Sequence, residues 1–431
     1  MILKNPSSLE TYSHDECHGI KPVMPAGVFK PKNTREVQEF VRKCKQEGTP
    51  ITARGGGTGK AGACVPTPGA MVIDFSGMNQ ILDISPENLT ARVQPGVLLR
   101  DFRDAAHSKG LLYPPDPSSL TWCTLGGNVA TNAAGPSSLK YGCTRDYVLG
   151  LEVVTAPGDI LKLGKQTVKG VAGYDLVSLV CGSEGTLALV TEITLKLLPL
   201  PRAQQTVLLS FGRNEQALEA INSILQAGYL PRTLEYMDAK TMLGNPALLI
   251  EYDGDDSDAL LAVVESMVNL VKPIGLESSE VALDESQRRS IWEKRRLMSK
   301  KLKKRFEHKI SEDIAVPRGQ IERFAREFDE LGLRYGVETA IFGHAGDGNL
   351  HAQLLFDEAK SSGEVDRILK ELFEITLRLN GTISGEHGIG LAKKPYLMLE
   401  QSKEVIALQK AIKAVWDPNN LLNPDKIFDS P

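Results

Sequence analysis

From Pro25 to Pro201 the apolar positions come in short runs cut by glycine and proline. Pro50 to Ala53, Val72 to Phe75, Ala91 to Val93, Leu151 to Val154 and Thr191 to Leu195 have the length and β-branched content of strands. Helical periodicity is confined to two stretches here. Thr34 to Gln46 follows Asn33, a side chain suited to cap a helix, and Val97 to Lys109 closes at Gly110. Near Leu198-Pro199-Leu200-Pro201 the texture changes. Beyond it, strand-like Thr206 to Phe211 and Ala247 to Tyr252 alternate with helix-like Asn214 to Gln226 and Asp256 to Val271, the pattern of helices packed on one sheet. The basic run Lys294 to Lys309 reads as the solvated face of one long helix, with room for a single arginine to turn inward. Glu338 to Phe342 and Ala352 to Phe356 read as strands around a polar turn, and Lys403 to Val415 as a last helix before Trp416-Asp417-Pro418. No internal repeat is visible.

The 431 residues suffice for two or three domains. With 42% apolar and 24% charged residues, the chain has the balance of a globular protein and not of a disordered one. Lysine and arginine total 50 against 54 acidic residues, a net charge of −4, which argues against a nucleic-acid binder. The start, Met1 to Pro6, lacks the apolar stretch of a secretory signal, and no apolar run approaches the ~20 residues of a transmembrane helix, so a cytoplasmic location is expected. The six cysteines all lie in the first half and never approach C-x-x-C spacing, which argues against an iron–sulfur cluster, a cysteine zinc site or a redox dithiol. Twenty of the 39 glycines fall between Gly55 and Gly185, so this half depends on turns and close backbone approach.

Gly57 to Gly62 matches G-x-G-x-x-G, yet Val65-Pro66-Thr67-Pro68-Gly69 follows where a dinucleotide motif must open a helix. A Walker loop fails too, because only three residues separate Gly55 from Gly59-Lys60 and Ala61 stands where Ser or Thr should bind magnesium. What survives is a strand-loop-strand whose amides can converge on an anion such as a pyrophosphate; a glycine-rich hairpin without a ligand is the competing reading.

Three further small-residue, hydroxyl-rich segments accompany the loop: Tyr113 to Ser119, Thr124 to Gly135 continuing to Lys140-Tyr141-Gly142, and Cys181 to Leu187. In this order they resemble the FAD-binding domain of the vanillyl-alcohol-oxidase and p-cresol-methylhydroxylase type. That resemblance implies an α+β flavoprotein of two domains, an FAD-binding domain and a ferredoxin-like α+β cap. It also implies that Gly55, Gly56, Gly57, Thr58 and Gly59 wrap the pyrophosphate. Asp116, Ser118, Ser119, Thr124, Gly126, Gly127, Asn128, Thr131, Asn132, Glu184 and Gly185 would line the adenosine and ribityl parts. No histidine occurs between His18 and His107, so the histidyl tether of some relatives is missing and FAD is expected to bind non-covalently.

His14, His18, His107 and His308 have no patterned partners and read as packing or surface residues. The other three histidines fall in Gly343-His344-Ala345-Gly346-Asp347-Gly348-Asn349-Leu350-His351 and Ser384-Gly385-Glu386-His387-Gly388-Ile389-Gly390. A hairpin would bring His344 and His351 together, and Glu386 could complete a His₂Glu set suited to catalytic zinc or manganese; ordinary hydrogen-bonding histidines are the alternative. The two motifs are similar to those of the FAD-linked D-2-hydroxyacid dehydrogenases, the group that includes D-lactate dehydrogenase, D-2-hydroxyglutarate dehydrogenase and the flavin subunit of glycolate oxidase. The resemblance implies His344, His351 and Glu386 as metal ligands, His387 as catalytic base and Asn349 as a substrate contact. Trp292 to Arg296 resembles the helix whose arginine grips the substrate carboxylate, with Arg295 preferred, Arg296 open, and Ser299 and Lys309 nearby. Leu422 to Lys426 resembles a terminal N-P-G-K segment returning to the flavin through Asn423, with Asp425 in place of glycine.

The expected organisation is an FAD-binding domain over residues 1–201, a cap over 202–381 and a C-terminal segment, 382–431, completing the site. The expected activity is oxidation of a D-2-hydroxy acid such as D-lactate or glycolate, with electrons passed to a quinone, a cytochrome, an electron-transfer flavoprotein or an iron–sulfur subunit. A homodimer is open as the oligomeric state. Two other readings compete: an alkyl-dihydroxyacetone-phosphate synthase-like flavoenzyme, and a non-catalytic flavin-binding subunit.

Overall fold

The computed structural model describes residues 2–3 and 5–429; Met1 and Lys4 of the opening segment, with Ser430 and Pro431, lie outside them. The chain divides into two units, Met1–Ala134 with Cys143–Leu200 and Glu386–Pro431, and Gly135–Gly142 with Pro201–Gly385. Residues 135–142, inside the stretch assigned on sequence to the first domain, thus cluster with the second.

The first unit is built on two larger sheets, with a two-stranded pair of Leu111–Leu112 and Leu198–Pro199 beside them in the topology. One has four strands in the order Ile2–Leu3, Gly27–Phe29, Met71–Asp74, Ile51–Arg54. The other has five, in the order Ile81–Ser85, Thr90–Val93, Ala188–Lys196, Val148–Thr155, Ile160–Gly164. Helix Thr34–Glu47 starts where Asn33 accepts a hydrogen bond from the Glu36 amide (3.0 Å) and ends at left-handed Gly48. Its apolar stripe, Val37, Phe40, Val41 and Cys44, packs with Ile51, Ile73, Leu189 and, from the far end of the chain, Leu421 and Leu422. Strands Ile51–Arg54 and Met71–Asp74 run parallel, so the glycine-rich segment between them is a crossover loop and not the tip of a hairpin.

The second unit holds a seven-stranded sheet ordered Leu276–Val281, Ala203–Phe211, Ala247–Gly254, Thr233–Met237, Glu338–His344, Asn349–Phe356, His308–Ala315. Ile291, Met298 and Leu302 cover part of it, packing against Leu208, Leu249, Ala340, Phe342 and Leu355. The basic run is not one helix. Helix Glu285–Arg296 ends at Leu297, helix Met298–Arg305 stops at extended Phe306, and an edge strand begins at His308. Lysines along the whole run conceal that Met298 and Leu302 point into the core while Lys309 already belongs to the strand.

Candidate active site

In the first unit the loop after Ile51–Arg54 has the fit of an anion cradle. Among the described residues, no backbone amide from Gly55 to Gly59 donates a hydrogen bond within the protein. The glycines are needed for approach as well as for conformation. A Cβ at Gly55 would overlap the Thr124 hydroxyl, one at Gly56 the Trp122 carbonyl oxygen, and one at left-handed Gly57 the Arg54 guanidinium. Arg54 is itself buried, donates to the His14 carbonyl at 2.7 Å and lies over the Tyr12 ring. A cleft lined by Gly55, Thr124, Gly126, Gly127, Thr131, Glu184 and Gly185 gathers three of the four sequence segments. Thr124 caps the short helix Leu125–Thr131.

Other predicted cofactor residues have different surroundings. Asp116, Ser118 and Ser119 sit in the turn before that helix and do not line the cleft; the Ser119 carbonyl accepts the Trp122 and Cys123 amides. Asn132 is the left-handed cap ending the helix, and its side chain accepts the Arg145 amide at 2.9 Å. Asn128 is buried with its side-chain nitrogen unpartnered, a polar atom that a bound cofactor could satisfy. Asn423 donates to the carbonyls of Ala63 (3.0 Å) and Glu184 (2.7 Å), which brings the C-terminal segment against the loop. Asp425 adopts φ +64°, so the position at which the resemblance implies glycine has the left-handed backbone that glycine favours.

Glu184 lines the cleft, but its carboxylate is used elsewhere in the unit. Its two oxygens accept the amides of Ile389 (2.7 Å) and Gly390 (2.8 Å), the turn directly after His387. Burial pushes this carboxyl up to about 7, although both amides and Lys426 draw it down. Lys426 is buried as well, and its own ammonium is lowered to about 8 by desolvation.

In the second unit, strands Glu338–His344 and Asn349–Phe356 form the expected hairpin, with Phe342 opposite His351 and His344 opposite Asn349. The imidazoles of His344 and His351 meet edge to face, centroids 5.4 Å apart. Glu386 follows Gly385, the last residue of this unit, directly in the chain. Two imidazoles so placed on one hairpin are donors that fit a divalent cation with positions left open for further ligands. His387 follows at once, its Nε2 3.8 Å from a Glu386 oxygen.

Asn349 uses its side-chain nitrogen on buried Asp313 (2.6 Å) and the Ile314 carbonyl (2.8 Å), which leaves the amide oxygen as its remaining polar atom. Lys309 hydrogen-bonds the Ser299 hydroxyl, so these two predicted residues are neighbours. Arg296 is exposed and lies over Trp292, whereas Arg295 turns inward over the Phe342 ring.

The inward partner of Arg295 is Glu235, which sequence reasoning missed. Glu235 is fully buried, receives Arg295 Nε at 2.6 Å on Oε2 and contacts His344 Nδ1 through Oε1. Burial alone would raise its carboxyl, but His344 and Arg295 hold it well below the ordinary carboxylate range. An acidic residue in an otherwise apolar strand was the available signal. Asp313, alone among the acidic residues of Lys309 to Asp313 in being fully buried, gave the same kind of hint.

Comparison with known proteins extends these observations. Residues 25–164 match the family model described as an FAD binding domain, and residues 200–427 match that of the FAD linked oxidases, C-terminal domain. The glycolate oxidase subunit GlcD of Bacillus subtilis is 42% identical over 94% of this chain and 89% of its own length. A D-lactate dehydrogenase of Anaerostipes hadrus is 33% identical (97% and 92%), and a D-2-hydroxyglutarate dehydrogenase of Stutzerimonas stutzeri 34% identical (99% and 96%). Among solved structures, p-cresol methylhydroxylase superposes with a TM-score of 0.82 at 16% identity over 99% of this chain and 94% of that one. An alkyldihydroxyacetonephosphate synthase does so at 0.78 and 18%, over 99% and 82%. At such identities the likeness is one of fold, the α+β vanillyl-alcohol-oxidase and p-cresol-methylhydroxylase architecture. The matches over both halves carry more: the chain belongs to the FAD-linked oxidases and is an FAD-linked oxidoreductase of the D-2-hydroxyacid dehydrogenase and glycolate oxidase family.

Proposed function

We propose that the protein oxidises a D-2-hydroxy acid to its 2-oxo acid, the alcohol proton leaving to His387 and the hydrogen on C2 leaving as hydride to non-covalently held FAD. The observation that supports this best is the facing pair His344 and His351, ring centroids 5.4 Å apart, which in this reading Glu386 completes as third ligand, with His387 next in the chain. When bound, the flavin supplies a hydride acceptor at N5, and a divalent cation, zinc or manganese, lowers the pKa of the alcohol. The remaining work falls to side chains. Arg295 keeps N–H groups beyond those given to Glu235, and with Lys309 and Ser299 these suit a carboxylate. Asn349 offers its amide oxygen to a hydroxyl. His387 is the base, restrained because Glu184 grips the two amides that follow its turn.

The two electrons then leave to an external acceptor of quinone, cytochrome, flavoprotein or iron–sulfur type. None of the six cysteines is in a disulfide, and among the described residues no three of them gather as metal or cluster ligands. No helix among the described residues is long and apolar enough to cross a membrane. The ether-lipid synthase reading has only fold likeness behind it.

The test is anaerobic. Purified protein with FAD, supplied with zinc or manganese, is mixed in turn with the enantiomers of lactate, malate and 2-hydroxyglutarate, and with glycolate. At least one D-enantiomer or glycolate is expected to bleach the flavin, L-enantiomers much more slowly, and prior metal removal is expected to suppress bleaching. A flavin that no hydroxy acid bleaches overturns the reading.

A further inference from the structure

A carboxylate in the middle of a sheet is costly unless both oxygens are matched by donors. Strand Thr233–Met237 lies between Ala247–Gly254 and Glu338–His344, and all five of its residues are buried. Its pairing sets Tyr236 opposite Gly343 and Met237 opposite Phe342, so Glu235 and His344 are the next residues on the two paired strands, and their side chains meet. Glu235 is therefore aimed at His344 by the sheet itself. On its other side stands Arg295, from the last turn of helix Glu285–Arg296, with Nε and Nη2 both 2.6 Å from Oε2.

We propose that Glu235 is a positioning residue that couples the two halves of the substrate site, orienting His344 for a cation through one oxygen and Arg295 for a carboxylate through the other. This rests on the metal-assisted reading above. Its logic is one of donors and acceptors. An ionised carboxylate only accepts, so the hydrogen of His344 must sit on Nδ1, which leaves Nε2 as the ring's lone pair. That is the orientation in which an outer carboxylate prepares a histidine to bind a metal. The Nε–Nη2 edge of Arg295 is spent on Glu235, and its plane rests on Phe342, centred 4.7 Å away, so the guanidinium cannot swing. Phe342 in turn contacts the His351 ring at 5.4 Å. A purely structural ion pair would need the arginine alone; the second oxygen, placed on a proposed ligand, is what marks Glu235 as part of the site.

The experiment measures zinc retention against graded chelator in the FAD-loaded full chain, comparing wild type with Glu235→Gln. Glutamine keeps the shape but offers one acceptor in place of two. Zinc affinity is expected to fall by about 10- to 100-fold, the usual cost of losing a second carboxylate partner, with flavin content unchanged. Should Glu235→Gln fail to fold because Arg295 is left buried and unpaired, the comparison moves to Arg295→Met against Glu235→Gln/Arg295→Met. There the single variant retains zinc like wild type, and the double shows the 10- to 100-fold loss. Equal zinc retention with and without Glu235 overturns the positioning role and leaves the metal reading standing. A wild-type protein that holds neither zinc nor manganese overturns both, and is told apart because the failure is already present before any substitution.

Discussion

At the scale of single residues, the position of Glu184 has a consequence that can be measured through pH. Its carboxyl is raised from an ordinary 4.5 to about 7 because it is buried, and Asp15 and Lys426 are the charged groups closest to it in effect. A folded-state value above the unfolded one means that the folded chain holds the proton more tightly. The associated stability is full below about pH 4.5 and is lost as pH rises through 7. The size is on the order of 3 kcal/mol, since each tenfold gain in proton affinity is worth ~1.4 kcal/mol. Glu184→Gln is neutral throughout and loses one acceptor at every pH, a constant offset. The melting temperature of the flavin-free variant relative to wild type should therefore climb between pH 5 and pH 8, measured by differential scanning fluorimetry; a difference that stays flat across this window would count against the assignment. Sequence reading placed Glu184 against the cofactor and missed this task. The amides it holds lie 205 and 206 positions away, and no local spacing reveals a partner so remote. Glu235 was hidden in the same way, whereas His344 and His351 were legible because the turn between them is local and rich in glycine, aspartate and asparagine.

At the scale of elements, legibility followed periodicity and caps. Helix Thr34–Glu47 was readable from Asn33, Gly48 and a stripe at helical spacing, and helix Asn214–Gln226 agrees with the sequence reading at both ends. The run Lys294 to Lys309 was not readable, because its lysines mask the break at Leu297 and the extended Phe306. The last long helix, Lys403–Trp416, was found from its pattern, yet its anchor was not. Lys413 is buried, donating to the carbonyls of Thr186 (2.7 Å) and Leu422 (2.9 Å) and pairing with Asp417, which is also buried. Asp417 further accepts the amides of Leu421 (2.8 Å) and Leu422 (2.7 Å), so one ion pair ties helix, turn and strand end together. Lys413→Met removes the cation and strands the acid, which should cost about 3–5 kcal/mol. For a unit of this size that corresponds to a fall of roughly 10 °C in the melting temperature. Calorimetry reads it directly. A shift of only a degree or two would mean that Asp417 finds other donors and that the pair is not the anchor.

At the scale of the whole chain, the first unit is discontinuous, and its last piece, Glu386–Pro431, supplies what the N-terminal piece lacks. Leu421 and Leu422 fill the core beneath helix Thr34–Glu47, and Leu422 bridges to Ile51, the strand that leads into the glycine loop. Two such side chains contribute about 1.5–3 kcal/mol each by burial. Asn423 supports the loop at Ala63, and Ile389 and Gly390 satisfy Glu184, which would otherwise be a buried carboxyl without those donors. A chain stopped after Gly385 therefore loses core, loop support and the Glu184 clamp together, although it keeps every glycine of the cradle. Such a chain is expected to carry no FAD after gel filtration, as judged by flavin absorbance released on denaturation. Full-length protein should carry close to one equivalent. Restoring residues 386–431 as a separate polypeptide should recover flavin in part, because the missing contacts are non-covalent and pre-shaped by helix Lys403–Trp416. If the shortened chain alone retains stoichiometric FAD, the glycine loop is self-sufficient, and the C-terminal return serves only to place Glu386 and His387.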